Sequence, residues 1–122
     1  MPHFGTRSTR ELDTCDKRIK KVLNEAIKHY DFSVLKGTRG KTEQNRAYQE
    51  GASQLMFPHS KHNSSPSQAV DIVPYPVDWN DKQRFHDLNE VIKKACNKVG
   101  EDDMNWGFDL WGWDMPHYQL GR

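Results

Sequence analysis

Two histidines and two aspartates stand where they could share one reaction centre. His62 lies in the polar loop "SKHNSSPSQ", Asp71 interrupts the apolar run "AVDIVPY", and Asp114 and His117 sit in "WDMPHYQL". A carboxylate in a buried strand is costly unless it is paired or binds a metal. The alternative for Asp71 is a solvent-facing position, because successive strand residues alternate faces. Two imidazoles and one carboxylate form a ligand set suited to zinc. Three protein ligands leave a fourth position for water, which separates a catalytic zinc site from a structural one. The chain has six histidines, so residue types alone leave other groupings open.

Periodicity predicts the elements that must position these groups. In "STRELDTCDKRIKKVLNEAIKHY", Leu12, Cys15, Ile19, Val22, Leu23, Ala26, Ile27 and Tyr30 follow the helical repeat, with Ser8 and Glu11 as a capping box. "DFSVLKG" predicts a strand closed by Gly37. "TRGKTEQNRAYQEG" predicts a turn and a short polar helix that stops at Gly51. Residues 52–68 show no period, and so long a loop in a small domain is often functional. "AVDIVPY" predicts a second strand, ended by its prolines. "DWNDKQRFHDLNEVIKKACNKVG" predicts a helix capped by Asn80 and Gln83 and ended by Gly100; Phe85, Leu88, Val91, Ile92, Ala95, Cys96 and Val99 line one face. The tail "EDDMNWGFDLWGWDMPHYQLGR" has no helical period and predicts one or two short strands. No βαβ rhythm repeats. The expected class is therefore α+β, with helices packed on a small antiparallel sheet, in one domain over residues 1–122.

Composition narrows the function classes. Eighteen basic and 17 acidic residues nearly cancel, without the basic excess of a nucleic-acid binder. No apolar window is long enough for a membrane span, so no membrane insertion is expected. "MPHFGTRSTRELD" lacks the apolar centre of a secretory signal. The expectation is synthesis in the cytoplasm, with release by another agent if the protein acts outside. Cys15 and Cys96 are too few for a disulfide framework and read as buried free thiols. The acidic run at 101–103 lacks the spaced oxygens of an EF-hand loop and reads as a solvated turn. Three of the four tryptophans crowd into "NWGFDLWGWDMPH", either as core or as the wall of a cleft.

"SKH…AVD…WDMPHYQL" resembles the signature of the zinc D,D-peptidase and L-alanyl-D-glutamate peptidase family: Ser-x-His, Ala-x-Asp, then a distal acid-x-x-His. The likeness is to the branch of phage endolysins and bacterial cell-wall enzymes. "GTRGKTEQNRAYQEGAS", "VDWND" and "WGFDLWGWD" continue it, so it spans roughly Phe32 to Leu120. The resemblance implies a Hedgehog/D,D-peptidase-like fold and a zinc site made by His62, Asp71 and His117. It implies Asp114 as catalytic acid/base, where many relatives carry Glu. Arg39 would contact a substrate carboxylate or the developing oxyanion, since its planar fork of donors suits both. Ser60, in the first motif, and Trp113, beside Trp111 in the cleft wall, would meet substrate. Asp109 would orient a zinc-bound histidine through its other ring nitrogen.

Two features qualify the match. Asp114 and His117 are three apart, and such residues point to opposite faces of a straight strand. Reaching one metal requires a bend at Met115-Pro116, which a proline there favours. The eight residues "NSSPSQAV" between His62 and Asp71 exceed the family's commonest spacing. That keeps His59 as a rival ligand, although only His62 fits Ser-x-His.

The implied function is hydrolysis of the peptidoglycan stem peptide by a monomeric zinc endopeptidase at the L-alanyl-D-glutamate bond, after release to the cell wall. A D-alanyl-D-alanine carboxypeptidase with the same metal site is the enzymatic alternative. A non-catalytic zinc-holding cell-wall or protein-binding module is the other, and Asp114 argues against it, since binding needs no general base.

Overall fold

The computed structural model describes residues 2–122. Its elements run α1 (Thr6–Leu12), α2 (Lys17–Ala26), β1 (Phe32–Lys36), α3 (Lys41–Gln49), a short 3-10 helix (Lys61–Asn63), β2 (Ala69–Pro74), α4 (Lys82–Val99), β3 (Met104–Trp106), α5 (Gly107–Trp111) and β4 (His117–Leu120). The strands form one antiparallel sheet in the order β1-β2-β4-β3. The class is α+β, as the pattern of elements implied.

Alternation along the strands sorts the sheet into two faces. Val70, Ile72, Tyr118 and Leu120 are buried with Ile19, Val22 and Leu23 of α2 and Leu88 and Ile92 of α4. The Tyr118 hydroxyl donates to Asn89 of α4 at 3.0 Å, which fixes that face as the helix-covered one. Asp71 pairs with His117 across β2 and β4, and Ala69 with Gln119. These residues therefore occupy the opposite face. The charge at Asp71 does not enter the apolar layer; 22% of its side chain stays exposed.

The first helix differs from expectation. The segment expected as one helix over residues 8–30 holds two, Thr6–Leu12 and Lys17–Ala26, separated at Asp13–Asp16. Short polar side chains here compete with the helical backbone. The Thr14 hydroxyl donates to the Glu11 carbonyl at 2.6 Å, and the Asp16 carboxylate accepts the Arg18 N–H at 2.8 Å, capping α2. The freed backbone pairs with Ser67: Asp16 N–H donates to Ser67 O at 2.9 Å and Ser67 N–H to Thr14 O at 2.8 Å. Leu12, Cys15 and Ile19 stay buried on either side of the break, which is why the periodicity read straight through it. Ser8 does not cap; it lies inside α1, and its hydroxyl accepts the Val34 N–H at 3.0 Å. That bond covers a donor on the sheet edge, where unpaired backbone invites association.

Two later expectations also change. Neither Asn80 nor Gln83 caps α4; Asp81 holds the cap position without a side-chain bond, and Gln83 instead donates to Asp87 at 2.9 Å. Gly100 ends the helix at φ +79°, a left-handed turn that glycine adopts freely. In the tail, the five-residue α5 separates β3 from β4. One turn and a half of helix is too short to register as a period. The indole N–H of Trp106 donates to Met115 O at 2.6 Å and closes the segment on itself.

Both cysteines are free, and burial pushes their thiols up, to about 12 for Cys15 and about 11 for Cys96. None of the described helices is long and apolar enough to cross a membrane.

Glu25 joins α2 to the end of α4. Its carboxylate lies 2.8 Å from His29, 3.4 Å from Lys28 and 3.4 Å from Lys98. The His29 bond, then the lysines, hold its carboxyl below the ordinary value of 4.5. The folded-state pKa is the lower one, so the stabilisation is present above the unfolded value and is lost as pH falls through the folded one. Glu25→Gln should melt below the wild type at neutral pH, and the two curves should converge in acid. A gap in melting temperature that persists at acid pH would remove Glu25 from the linkage.

Candidate active site

The site is assembled from three parts of the chain. Asp71 and His117 face each other on neighbouring strands. His62 arrives on the 3-10 helix, whose start is fixed by a reciprocal cap. The Ser60 hydroxyl accepts the His62 N–H at 3.2 Å, while Asn63 Oδ1 accepts the Ser60 N–H at 3.0 Å. The His62 carbonyl accepts the Arg39 N–H at 2.7 Å, tying this turn to the chain after β1.

Nε2 of His62 and Nδ1 of His117 each lie 3.3 Å from Asp71 Oδ1. The two rings meet edge to face, with centroids 5.2 Å apart. Each ring is fixed from behind. Nδ1–H of His62 donates to the Gly37 carbonyl at 2.8 Å, and Nε2–H of His117 donates to Gln119 Oε1 at 3.0 Å. With the ring hydrogens on those outer nitrogens, both inward nitrogens present lone pairs, the tautomers that metal binding needs. All three ligand atoms lie within 4.8 Å of one another, so His62, Asp71 and His117 could hold a metal ion. Gly37 must lack a side chain to approach this closely, because a Cβ would strike Thr14 Oγ1 and the Glu11 carbonyl.

Electrostatics couples the three. Burial pushes the Asp71 carboxyl up, but His62 and then His117 outweigh it and hold it well below the usual carboxylate range. Burial pushes His117 down, yet its charged form, with hydrogens on both ring nitrogens, is held by Asp71, and the net shift is upward. Asp114 behaves oppositely to Asp71. Burial raises its carboxyl, against the pull of His117, His62 and Arg39.

Asp114 comes near His117 through the bend that the spacing required. Met115 and Pro116 form a turn, and the His117 N–H points back to the Asp114 carbonyl at 3.4 Å. Gly107 packs against this turn; a Cβ there would lie 2.5 Å from the Asp114 carbonyl oxygen and 3.1 Å from His117 Cβ.

Arg39 reaches the same place from the other side. Its Nη1 donates to Gln44 Oε1 at 3.0 Å, and Nη2 lies 3.6 Å from Asp71 Oδ2. Gln44 is fully buried and works as a hub. Its oxygen also accepts from Asn63 at 3.1 Å, and its amide donates to Ser53 Oγ and the Leu55 carbonyl. Trp111 packs 5.3 Å from the His117 ring and 6.3 Å from Trp113. Trp111 and Trp113 are 48% and 52% exposed and form an aromatic rim.

Some expected residues stand elsewhere. Asp109 is exposed on α5 and bonds to neither histidine. It lines a groove of about 460 Å³ with Asn89 and Tyr118, from the helix-covered side of the sheet. The positions anticipated for it are taken by Gly37 and Gln119. Ser60 acts as the cap of the turn that carries His62. His59 is exposed and outside the cluster. The long spacer stays out of the site: Ser64, Ser65 and Pro66 are exposed, Ser67 pairs in the α1–α2 break, and the Gln68 carbonyl accepts the Leu120 N–H at 2.9 Å. Gln119 was open to discovery from sequence, because a residue two after His117 on a strand shares its face. Gln44 lies inside the segment "GTRGKTEQNRAYQEGAS", but its burial could not be read from so polar a helix.

Residues 1–119 match a family model described as phage L-alanyl-D-glutamate peptidase. The fold is similar to the crystal structure of the Serratia marcescens L-Ala D-Glu endopeptidase ChiX. The TM-score is 0.82 and the identity 26%, over 98% of this chain and 90% of that one. No curated protein matches the chain.

Proposed function

This chain belongs to the phage L-alanyl-D-glutamate peptidase family, and from that premise we propose that it cleaves the L-alanyl-D-glutamate bond of peptidoglycan stem peptides with zinc held by His62, Asp71 and His117. The observation that carries the proposal is the convergence of two imidazole lone pairs and one carboxylate oxygen, each imidazole locked from behind. Nitrogen and oxygen donors of this kind suit zinc, and three of them leave a coordination position open. When bound, zinc supplies a Lewis acid that polarises the scissile carbonyl and acidifies water.

The chain's own residues supply the rest. Asp114 takes the proton from the attacking water and delivers it to the departing amine of D-glutamate. A C–O bond forms, the C–N bond breaks, and the proton ends on the new amino group. Arg39, steadied by Gln44, presents its remaining N–H donors to the oxyanion or to a substrate carboxylate. Trp111 and Trp113 form an apolar wall beside the reacting bond. Lysis of the host cell wall, after release from the cytoplasm, is the setting that fits a phage family.

Metal removal tests the proposal. Dialysis against a chelator should abolish release of soluble peptidoglycan fragments, and stoichiometric zinc should restore it. Full activity in protein shown to be metal-free would overturn the zinc assignment.

A further inference from the structure

The two histidines of the cluster are locked by different devices. His62 donates to the Gly37 backbone carbonyl, a group that can only accept, so its tautomer has no alternative. His117 faces the Gln119 side-chain amide, which could offer its oxygen or its nitrogen. A choice must be made, and the next residues on the chain make it. Gln119 Nε2 donates to the Gly121 carbonyl at 3.3 Å. Asn105, opposite Gln119 across β3 and β4, donates to the same carbonyl at 2.9 Å. Gly121 adopts φ +74°, a conformation that glycine reaches without strain. With its nitrogen committed to Gly121, Gln119 turns its oxygen to the ring. The His117 hydrogen is then drawn to Nε2, against the pull of the Asp71 carboxylate 3.3 Å from Nδ1.

We infer that Gln119 is a positioning residue that sets the His117 tautomer, and thereby the metal affinity of the site, through a relay from the Gly121 carbonyl. The inference rests on the metal reading above. It reaches no substrate: Gln119 is buried and touches the ring from behind.

Two measurements test it. The first is zinc affinity by chelator competition, with folding checked by thermal melting of the metal-free protein. Gln119→Leu should weaken zinc binding about 10- to 100-fold, the range for lost outer-shell partners. Gln119→Glu keeps an acceptor toward Nε2–H and should bind at least as tightly as wild type. Equal affinity in the wild type and a folded Gln119→Leu variant would overturn the inference, and so would equal losses in both variants. The second is nitrogen NMR of the His117 ring in metal-free wild-type protein at alkaline pH, which reports whether or not zinc is the metal. Hydrogen on Nε2 is expected, and hydrogen on Nδ1 would overturn the relay. Wild-type protein that takes up no zinc, with the ring hydrogen on Nε2, would fault the metal reading and leave the tautomer lock standing.

Discussion

Asp114→Ala should retain zinc and fold, yet lose peptidoglycan hydrolysis by at least about a hundredfold, the lower range for general acid–base catalysis. The expectation follows from position. The Asp114 carboxyl is half-buried beside His117, Asp71 and His62, but it lies outside the group of ligand atoms that converge on one point. Truncating it removes no ligand. It also removes no hydrogen bond that stabilises the fold, since the Asp114 contacts at the turn run through its backbone. Asp114→Asn is the sharper control, because it keeps the shape and loses the proton acceptor. Zinc content and melting temperature should match wild type in both variants while turnover falls. Near-normal turnover in either would remove Asp114 from the mechanism.

His62→Ala should abolish both zinc retention and activity, whereas His59→Ala should change neither. His62 is buried, and its ring bridges Gly37 and Asp71. Its removal leaves two ligands, a buried carbonyl without its donor, and Asp71 with one imidazole instead of two. A buried group left unpaired costs about 1–3 kcal/mol, so the variant should also melt earlier. His59 is exposed and contributes nothing to the cluster. Zinc loss in His59→Ala with retention in His62→Ala would mean that the long spacer rearranges to exchange the ligand.

The site was more legible in the sequence than the elements that carry it. His62, Asp71 and His117 could be grouped because two imidazoles and a carboxylate are a restricted donor set and the surrounding motifs are specific. The bend at Met115-Pro116 followed from the geometry of a strand. Other features depended on partners far away in the chain. The α1–α2 break exists because Ser67, 52 residues beyond Cys15, supplies the backbone partners; apolar periodicity is unaffected and so reported one helix. Ser8 looked like a cap by local pattern, but a tertiary contact with Val34 claims its hydroxyl. Asp109 has the chemistry to orient a histidine, but it is exposed on α5 and bonds to neither ring. Gln119, two residues after His117, shares its face of β4, and face, not charge, decided which side chain reached the ring.

The spacer "NSSPSQAV" shows the same lesson. Its length bears on docking against the α1–α2 break, with Thr38 donating to the Ser64 carbonyl at 3.3 Å and Ser67 paired to Thr14 and Asp16. His62 and Asp71 still meet at 3.3 Å. A longer connection costs little in closure entropy when it is anchored elsewhere.

Mass spectrometry of purified peptidoglycan digested by the zinc-loaded protein locates the bond that is cut. Cleavage at the L-alanyl-D-glutamate bond yields peptides with new D-glutamate N-termini and glycan strands whose muramic acids each keep a single L-alanine. Release of free D-alanine without those ends would place the cut at the far end of the stem peptide and contradict the proposed cleavage.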